Sequence, residues 1–324
     1  MPTPTSIPGS TSAGAQAAPV PARYTHKTDA AEALLRTWRR IGPDTFAVTA
    51  SWPGSHGFYR TLDGLHDPLL LGETVRQTLP FLSHAAYGVP FGHHLLWQTF
   101  AWELSPRSLH CTEPGAGAEV ELRIFCHEVQ YRKDRAAAIA MEVEAVRDGA
   151  LLGTARTRFT IQDPAVYRRL RGPYADVAAA TAGALPLAPP APPCRVGRES
   201  FADVVLSPTD SSTRWQLRTD TAHPILFDHP VDHAPGMLLL EAVRQAALAM
   251  SHPRPAIPVA MDSVFVRYAE LDAPCVLEAA PLPDDVRGRA RLRVSAEQHG
   301  SLIFVSEVTL EDAPGAGPRP VRGA

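Results

Sequence analysis

The chain has little cysteine for its size. Only Cys111, Cys126, Cys194 and Cys275 occur in 324 residues. They are too scattered for a disulfide framework, and Cys126-His127 has no second ligand pair at metal spacing, so no metal site is expected. Long apolar runs are missing as well. No stretch approaches eighteen uninterrupted apolar residues, so no membrane-spanning helix is expected. The N-terminus lacks the basic and apolar regions of a signal peptide, which reads as a cytoplasmic protein. Charge of one sign is also missing: 31 basic against 34 acidic residues leave −3, which excludes a nucleic-acid surface.

Proline is in excess, at 32 residues. Five lie in residues 1–22, five in Pro186–Pro193 and three after Ala313. They divide the chain into a disordered tail (1–22), a folded block (23–172), an Ala/Pro-rich linker (173–193), a second block (194–312) and a flexible tail (313–324). The linker composition predicts a semi-extended spacer.

The two blocks repeat one another. Residues 73–90 align without gaps on 241–258, and seven of the eighteen positions are identical, including every member of an E-x-V-R-Q group. Upstream, Lys27 and Glu32 match Arg198 and Asp203 at an offset of 171. The fold is therefore read as a duplication. Each copy begins with a long helical pattern, at 69–84 and 235–251, followed by alternating strands. Strands are predicted at 119–131, 138–147 and 151–161, then at 290–297 and 302–310. Asp148-Gly149 and His299-Gly300 are hairpin turns. Pro80 should kink the first helix. Both helices are apolar nearly all round, hence buried. The fold class is α+β: two tandem hotdog units, each a buried helix wrapped by an antiparallel sheet.

Chemistry requires polar groups where an apolar helix would not otherwise hold them. Glu241, Arg244 and Gln245 share one helical face, and Glu73, Arg76 and Gln77 repeat the pattern. They read either as register-fixing ion pairs or as an acid/base with an anion clamp. Glu241, Glu73 and Arg244 are the catalytic candidates, and the second helix is expected to carry more of the chemistry. Pro235 opens that helix, so the N–H groups of Gly236 and Met237 are free to receive a carbonyl oxygen. His229 and His233 lie in the loop before it. Arg76 and His56 complete the substrate-binding candidates. His84 and His252 read as helix C-terminal residues facing the dipole.

The stretch HPILFDHPVDHAPGMLLLEAVRQAA, with DPLLLGETVRQ in the first copy, resembles the A-factor synthase (AfsA) family of actinobacteria. YTHKTDAAEALL and ASWPGSHGFY resemble that family's first repeat. The resemblance implies an acyltransferase that needs no cofactor. A β-ketoacyl group would pass from an acyl carrier protein to dihydroxyacetone phosphate, and the ester would close to a butenolide precursor of a γ-butyrolactone or furan signal. It implies as partners the carrier protein and, as an assembly, a homodimer. Two rival readings are a double-hotdog dehydratase or thioesterase and a non-catalytic autoregulator-binding protein. Tyr167–Arg171, the densest basic run, reads as a solvated patch or a carrier-docking surface.

Overall fold

The two apolar stretches that carry the E-x-V-R-Q groups fold as buried helices in the computed structural model, which describes residues 17–313. Helix α1 spans Leu69–Ala85 and is continuous through Pro80. Asp67 accepts the Leu69 N–H at its start, at 2.9 Å. Around it, Leu69, Leu70, Leu71, Val75, Phe81 and Leu82 are almost fully buried. Its first-copy partners are β1 (Ala18–Pro19), β2 (Leu35–Gly42), β3 (Thr45–Trp52), β4 (His94–Leu104), β5 (Ala118–Arg132), β6 (Arg135–Arg147) and β7 (Ala150–Gln162). Two short helices follow, α2 (Pro164–Arg171) and α3 (Val177–Ala182).

The second copy repeats this order. Strands β8 (Leu206–Pro208) and β9 (Arg214–Leu217) precede helix α4 (Gly236–Ser251), with Pro235 as its N-cap. After it come β10 (Ala256–Phe265), β11 (Val276–Leu282), β12 (Ala290–Gln298) and β13 (Ser301–Asp312). All pair antiparallel in one sheet of order β1-β2-β3-β5-β6-β7-β4-β10-β13-β12-β11-β9-β8. The order reads outward symmetrically from a central seam, where β4 meets β10 with Thr99 opposite Val264 and Glu103 opposite Ala260. The result is two hotdog units fused through a shared sheet. The helices meet where Gly72 leaves room for Met237.

Both hairpin turns form as expected: Asp148-Gly149 and His299-Gly300 each have two consecutive positive φ angles. The sequence pattern missed β1, β2, β3, β4, β8, β9, β10 and β11. β2 is largely polar and half-exposed, and β10 has three consecutive buried residues, so neither alternates cleanly. A further difference lies between the copies. The expected spacer instead folds against the second unit: Asp176 caps α3 through Ala179 N–H, and Leu185 and Ala191 donate to Leu271 and Leu206. Alanine favours a capped helix, and the apolar Ala191 is buried on the second unit's core. At the N-terminus, Ala18–Pro19 pairs with Trp38 and Thr37, although residues 1–22 read as a tail. Residues 1–16 and 314–324, the rest of the two expected tails, lie outside the described residues.

Candidate active site

The repeated polar groups form two matching clusters. In the first, Arg76 donates to Glu73 through Nε and Nη2 at 2.8 and 2.9 Å. Lys27 Nζ lies 3.1 Å from the same carboxylate. In the second, Arg244 donates to Glu241 at 2.9 and 2.8 Å, and Arg198 donates Nε at 2.9 Å. The two upstream cations of the sequence repeat thus serve the two glutamates. Gln77 and Gln245 cross-link each cluster to its lead-in strand: each accepts a backbone N–H, from Leu34 and Val205, and donates to its glutamate.

Burial opposes ionisation of both glutamates, but the cations outweigh it. Arg76 and Lys27 hold Glu73 at a pKa of about 2, and Arg198 with Arg244 holds Glu241 at about 2. Carboxylates so held stay ionised at neutral pH and spend their oxygens on the cations, which is the ion-pair alternative of the sequence reading. Glu241 and Arg244 are 0% and 7% exposed and do not line the cavity described below. His56 does not line it either. Its Nδ1 accepts the N–H groups of Phe58 and Tyr59, and its Nε2 faces Glu32, so both ring nitrogens are occupied. His223 makes the equivalent turn in the second copy.

A cavity of about 580 Å3 opens at the first cluster. It is of the size that holds small ligands. One wall is α1 with Glu73, Arg76, Leu79 and Pro80, and the facing wall is the second copy's loop 225–236. Arg76 Nη1 has no protein acceptor among the described residues, and the side chain keeps 21% exposure. Across from it stand two carboxylate–imidazole pairs. Asp228 Oδ1 accepts from His229 Nδ1 at 2.6 Å, and Asp232 Oδ1 accepts from His233 Nδ1 at 2.7 Å. Asp228 also forms a 3.4 Å ion pair with Lys27, yet its Oδ2 receives no hydrogen bond. Both imidazoles therefore turn a free Nε2 outward. At the loop's end, Leu238 and Leu239 donate to Pro235 C=O, and the N–H groups of Gly236 and Met237 have no acceptor among the described residues. A Cβ at Gly236 would lie 2.5 Å from the Trp97 ring, so only glycine lets the helix start pack there. Leu95, Trp97, Met237, Leu239 and Phe265 give the cavity an apolar side.

The cavity lining thus brings together Glu73, Arg76, His229, His233, Gly236 and Met237, and does not include His56, Glu241 and Arg244. Sequence reading missed His26, Lys27, His94, Trp97, Asp228 and Asp232. The signal for the acids was present: in Asp228-His-Pro-Val-Asp-His233, each histidine directly follows the carboxylate that orients it. His84 lies in the last turn of α1 as expected; there it donates Nδ1–H to Val89 C=O and faces His26 Nε2 at 2.8 Å.

These shifts predict acid sensitivity in two stages. Burial, with the neighbouring His84, lowers His26 to about 4, and burial with Arg147 nearby lowers His66 to about 4. The unfolded chain binds those protons from pH 6.5 downward, so stability should fall between pH 6.5 and 4. A second loss should follow between 4.5 and 2 as Glu73 and Glu241 are protonated more readily in the unfolded state. Urea midpoints measured from pH 7 to 3 test this; a flat profile down to pH 4 would contradict it.

Comparison with known proteins identifies the family of the fold. The family model described as the A-factor biosynthesis hotdog domain matches residues 10–163 and 179–311. A 2-oxo-3-(phosphooxy)propyl 3-oxoalkanoate synthase of Streptomyces virginiae is 43% identical over 288 residues, 88% of this chain and 95% of the relative. A synthase of the same name from Streptomyces coelicolor is 40% identical over 296 residues, 90% of this chain and 92% of its own. Among solved structures, an acyl-ACP thioesterase from Bacteroides thetaiotaomicron aligns with a TM-score of 0.50 at 13% identity, over 82% of this chain and 98% of that one. That likeness concerns the fold. With both copies of the repeat inside the matched residues, and identities of this size across nearly the whole length, the chain belongs to the A-factor biosynthesis hotdog family.

Proposed function

We propose that this chain is an acyltransferase that condenses a β-ketoacyl thioester with dihydroxyacetone phosphate. The reading is supported by the names of its relatives and carried by one observation. A single cavity brings an anion clamp, an aspartate-backed imidazole and two free backbone N–H groups beside an apolar wall. Arg76 and Lys27 take the phosphate, the arginine through its unused Nη1. His229 Nε2 accepts the proton of the acceptor hydroxyl as its oxygen attacks the thioester carbonyl. The oxyanion rests on the N–H groups of Gly236 and Met237. The C–S bond then breaks, the thiolate takes the proton back from His229, and the product is a phosphorylated β-ketoester. The acyl chain lies on Leu95, Trp97 and Leu239.

His229 is preferred over His233 as the base on physical grounds. Its carboxylate partner Asp228 is ion-paired with Lys27, which also holds Glu73, so His229 stands beside the phosphate clamp, whereas Asp232 is tied to Tyr167 and Arg171. Incubating the protein with a β-ketoacyl thioester, with and without dihydroxyacetone phosphate, tests the reading by mass spectrometry. The expected result is ester and free thiol only when the acceptor is present. Thiol release without acceptor would make it a thioesterase, and tight binding without turnover would make it a binding protein.

An acyl carrier protein is the proposed donor. Arg168 and Arg169 are exposed on α2 beside the cavity-lining Tyr167 and offer positive charge to an acidic carrier. Reversing both to Glu should weaken carrier-linked substrate far more than short thioester mimics, with the difference fading at high salt. Equal effects on the two substrates would reject the surface. Light scattering decides whether the chain works alone or as the expected homodimer.

A further inference from the structure

The segment joining the two copies reaches into the site. Tyr167 and Arg171 lie one turn apart on α2, and both are buried. The Tyr167 hydroxyl is 2.7 and 2.8 Å from the two oxygens of Asp232, and its ring stacks on His94 with centroids 3.6 Å apart. Arg171 donates Nε to Asp232 Oδ2 at 3.0 Å and Nη2 to the Asp232 carbonyl at 3.2 Å. Its terminal nitrogens donate to Glu270 at 2.5 and 2.8 Å, and its guanidinium lies 3.9 Å from the centre of the Tyr268 ring. Asp232 is thus held at both carboxylate oxygens and at its backbone. Its remaining contact is the hydrogen bond from His233.

Such a network does little for stability, because buried ion pairs forfeit hydration nearly equal to their attraction. What it does fix is direction. A carboxylate tied on every side cannot rotate, so the imidazole bonded to it has one orientation, with Nε2 left for the cavity that the ring lines. We propose that Tyr167 and Arg171 are positioning residues for His233: α2 straps the 228–236 loop so that His233 faces the cavity as a second acid–base group. The end of the first block, just before the expected linker, is on this reading part of the site. The titratable and charged groups around the Asp232–His233 pair are Tyr167 and Arg171 from α2, Tyr268 and Glu270 beyond β10, and His93 and His94 from the start of β4.

Tyr167→Phe is the test, since it keeps the ring, the burial and the stack on His94 while removing the hydroxyl. The expected result is a fall of about tenfold in kcat with little change in KM for the acceptor, as one charge-assisted hydrogen bond is lost. The acid limb of the pH–rate profile should move upward, because Asp232 without that donor holds the imidazolium more firmly. Arg171→Lys should act in the same direction. The kinetic arm rests on the acyl-transfer reading. A second arm does not: the His233 Nδ1–H proton, bonded to a carboxylate, resonates far downfield and is assigned by its loss in His233→Gln. It should shift in Tyr167→Phe. A wild-type protein without turnover would defeat the acyl-transfer reading and leave this resonance to decide the positioning. An unmoved resonance, or a lower melting temperature with kcat and pH profile unchanged, would overturn the proposal.

Discussion

Replacing His229 with glutamine is expected to lower kcat/KM by about 10²–10⁴-fold, the usual loss when a positioned general base is removed. The protein should melt where the wild type does. The His229 side chain is 45% exposed and its protein hydrogen bond is to the neighbouring Asp228, so nothing in the core depends on it. Asp228→Asn should reproduce much of the loss, because an amide cannot hold the same tautomer or stabilise the imidazolium. Full activity in folded His229→Gln would move the base elsewhere, with His233→Gln the variant to measure beside it.

The second large effect concerns stability. Glu241→Gln should destabilise the fold by about 3–5 kcal/mol, the range seen when one partner of a buried ion pair is removed. The carboxylate is fully buried between Arg198 and Arg244, and its loss would leave the two guanidinium groups with only the longer Arg244–Asp67 pair, at 3.9 Å, to offset them. Activity per folded molecule should stay close to wild type, since the cluster does not reach the cavity. Urea unfolding and initial rates on the same preparation separate the two quantities. A stable but inactive Glu241→Gln would return the chemistry to the second helix. Glu73→Gln differs in kind: it frees Lys27 and Arg76 beside the cavity, so it should alter acceptor affinity as well as stability.

What the sequence by itself determined is whatever local pattern and repetition control. The E-x-V-R-Q groups, the all-round apolar helices and the Asp-Gly and His-Gly turns were legible because helix burial and hairpin turns depend on neighbours in sequence. So was the hotdog pairing of one helix with one meander, twice over. The strands at the seam were not, because β4 and β10 pair across more than 150 residues and their side chains answer to that partner.

The same limit explains the site. Both copies carry the same glutamate, arginine and glutamine in the same register, and the motif itself does not say which copy faces a cavity. Tertiary packing does. At the second cluster, the first copy's loop closes down: the Arg198 guanidinium lies 3.8 Å from the centre of the Phe58 ring and donates to the Phe58 carbonyl. At the first cluster, the second copy's loop holds away and turns two aspartate-backed histidines toward the space left open. An identical motif is therefore a buried brace in one copy and a cavity wall in the other, because exposure belongs to what packs against a residue and not to the residue.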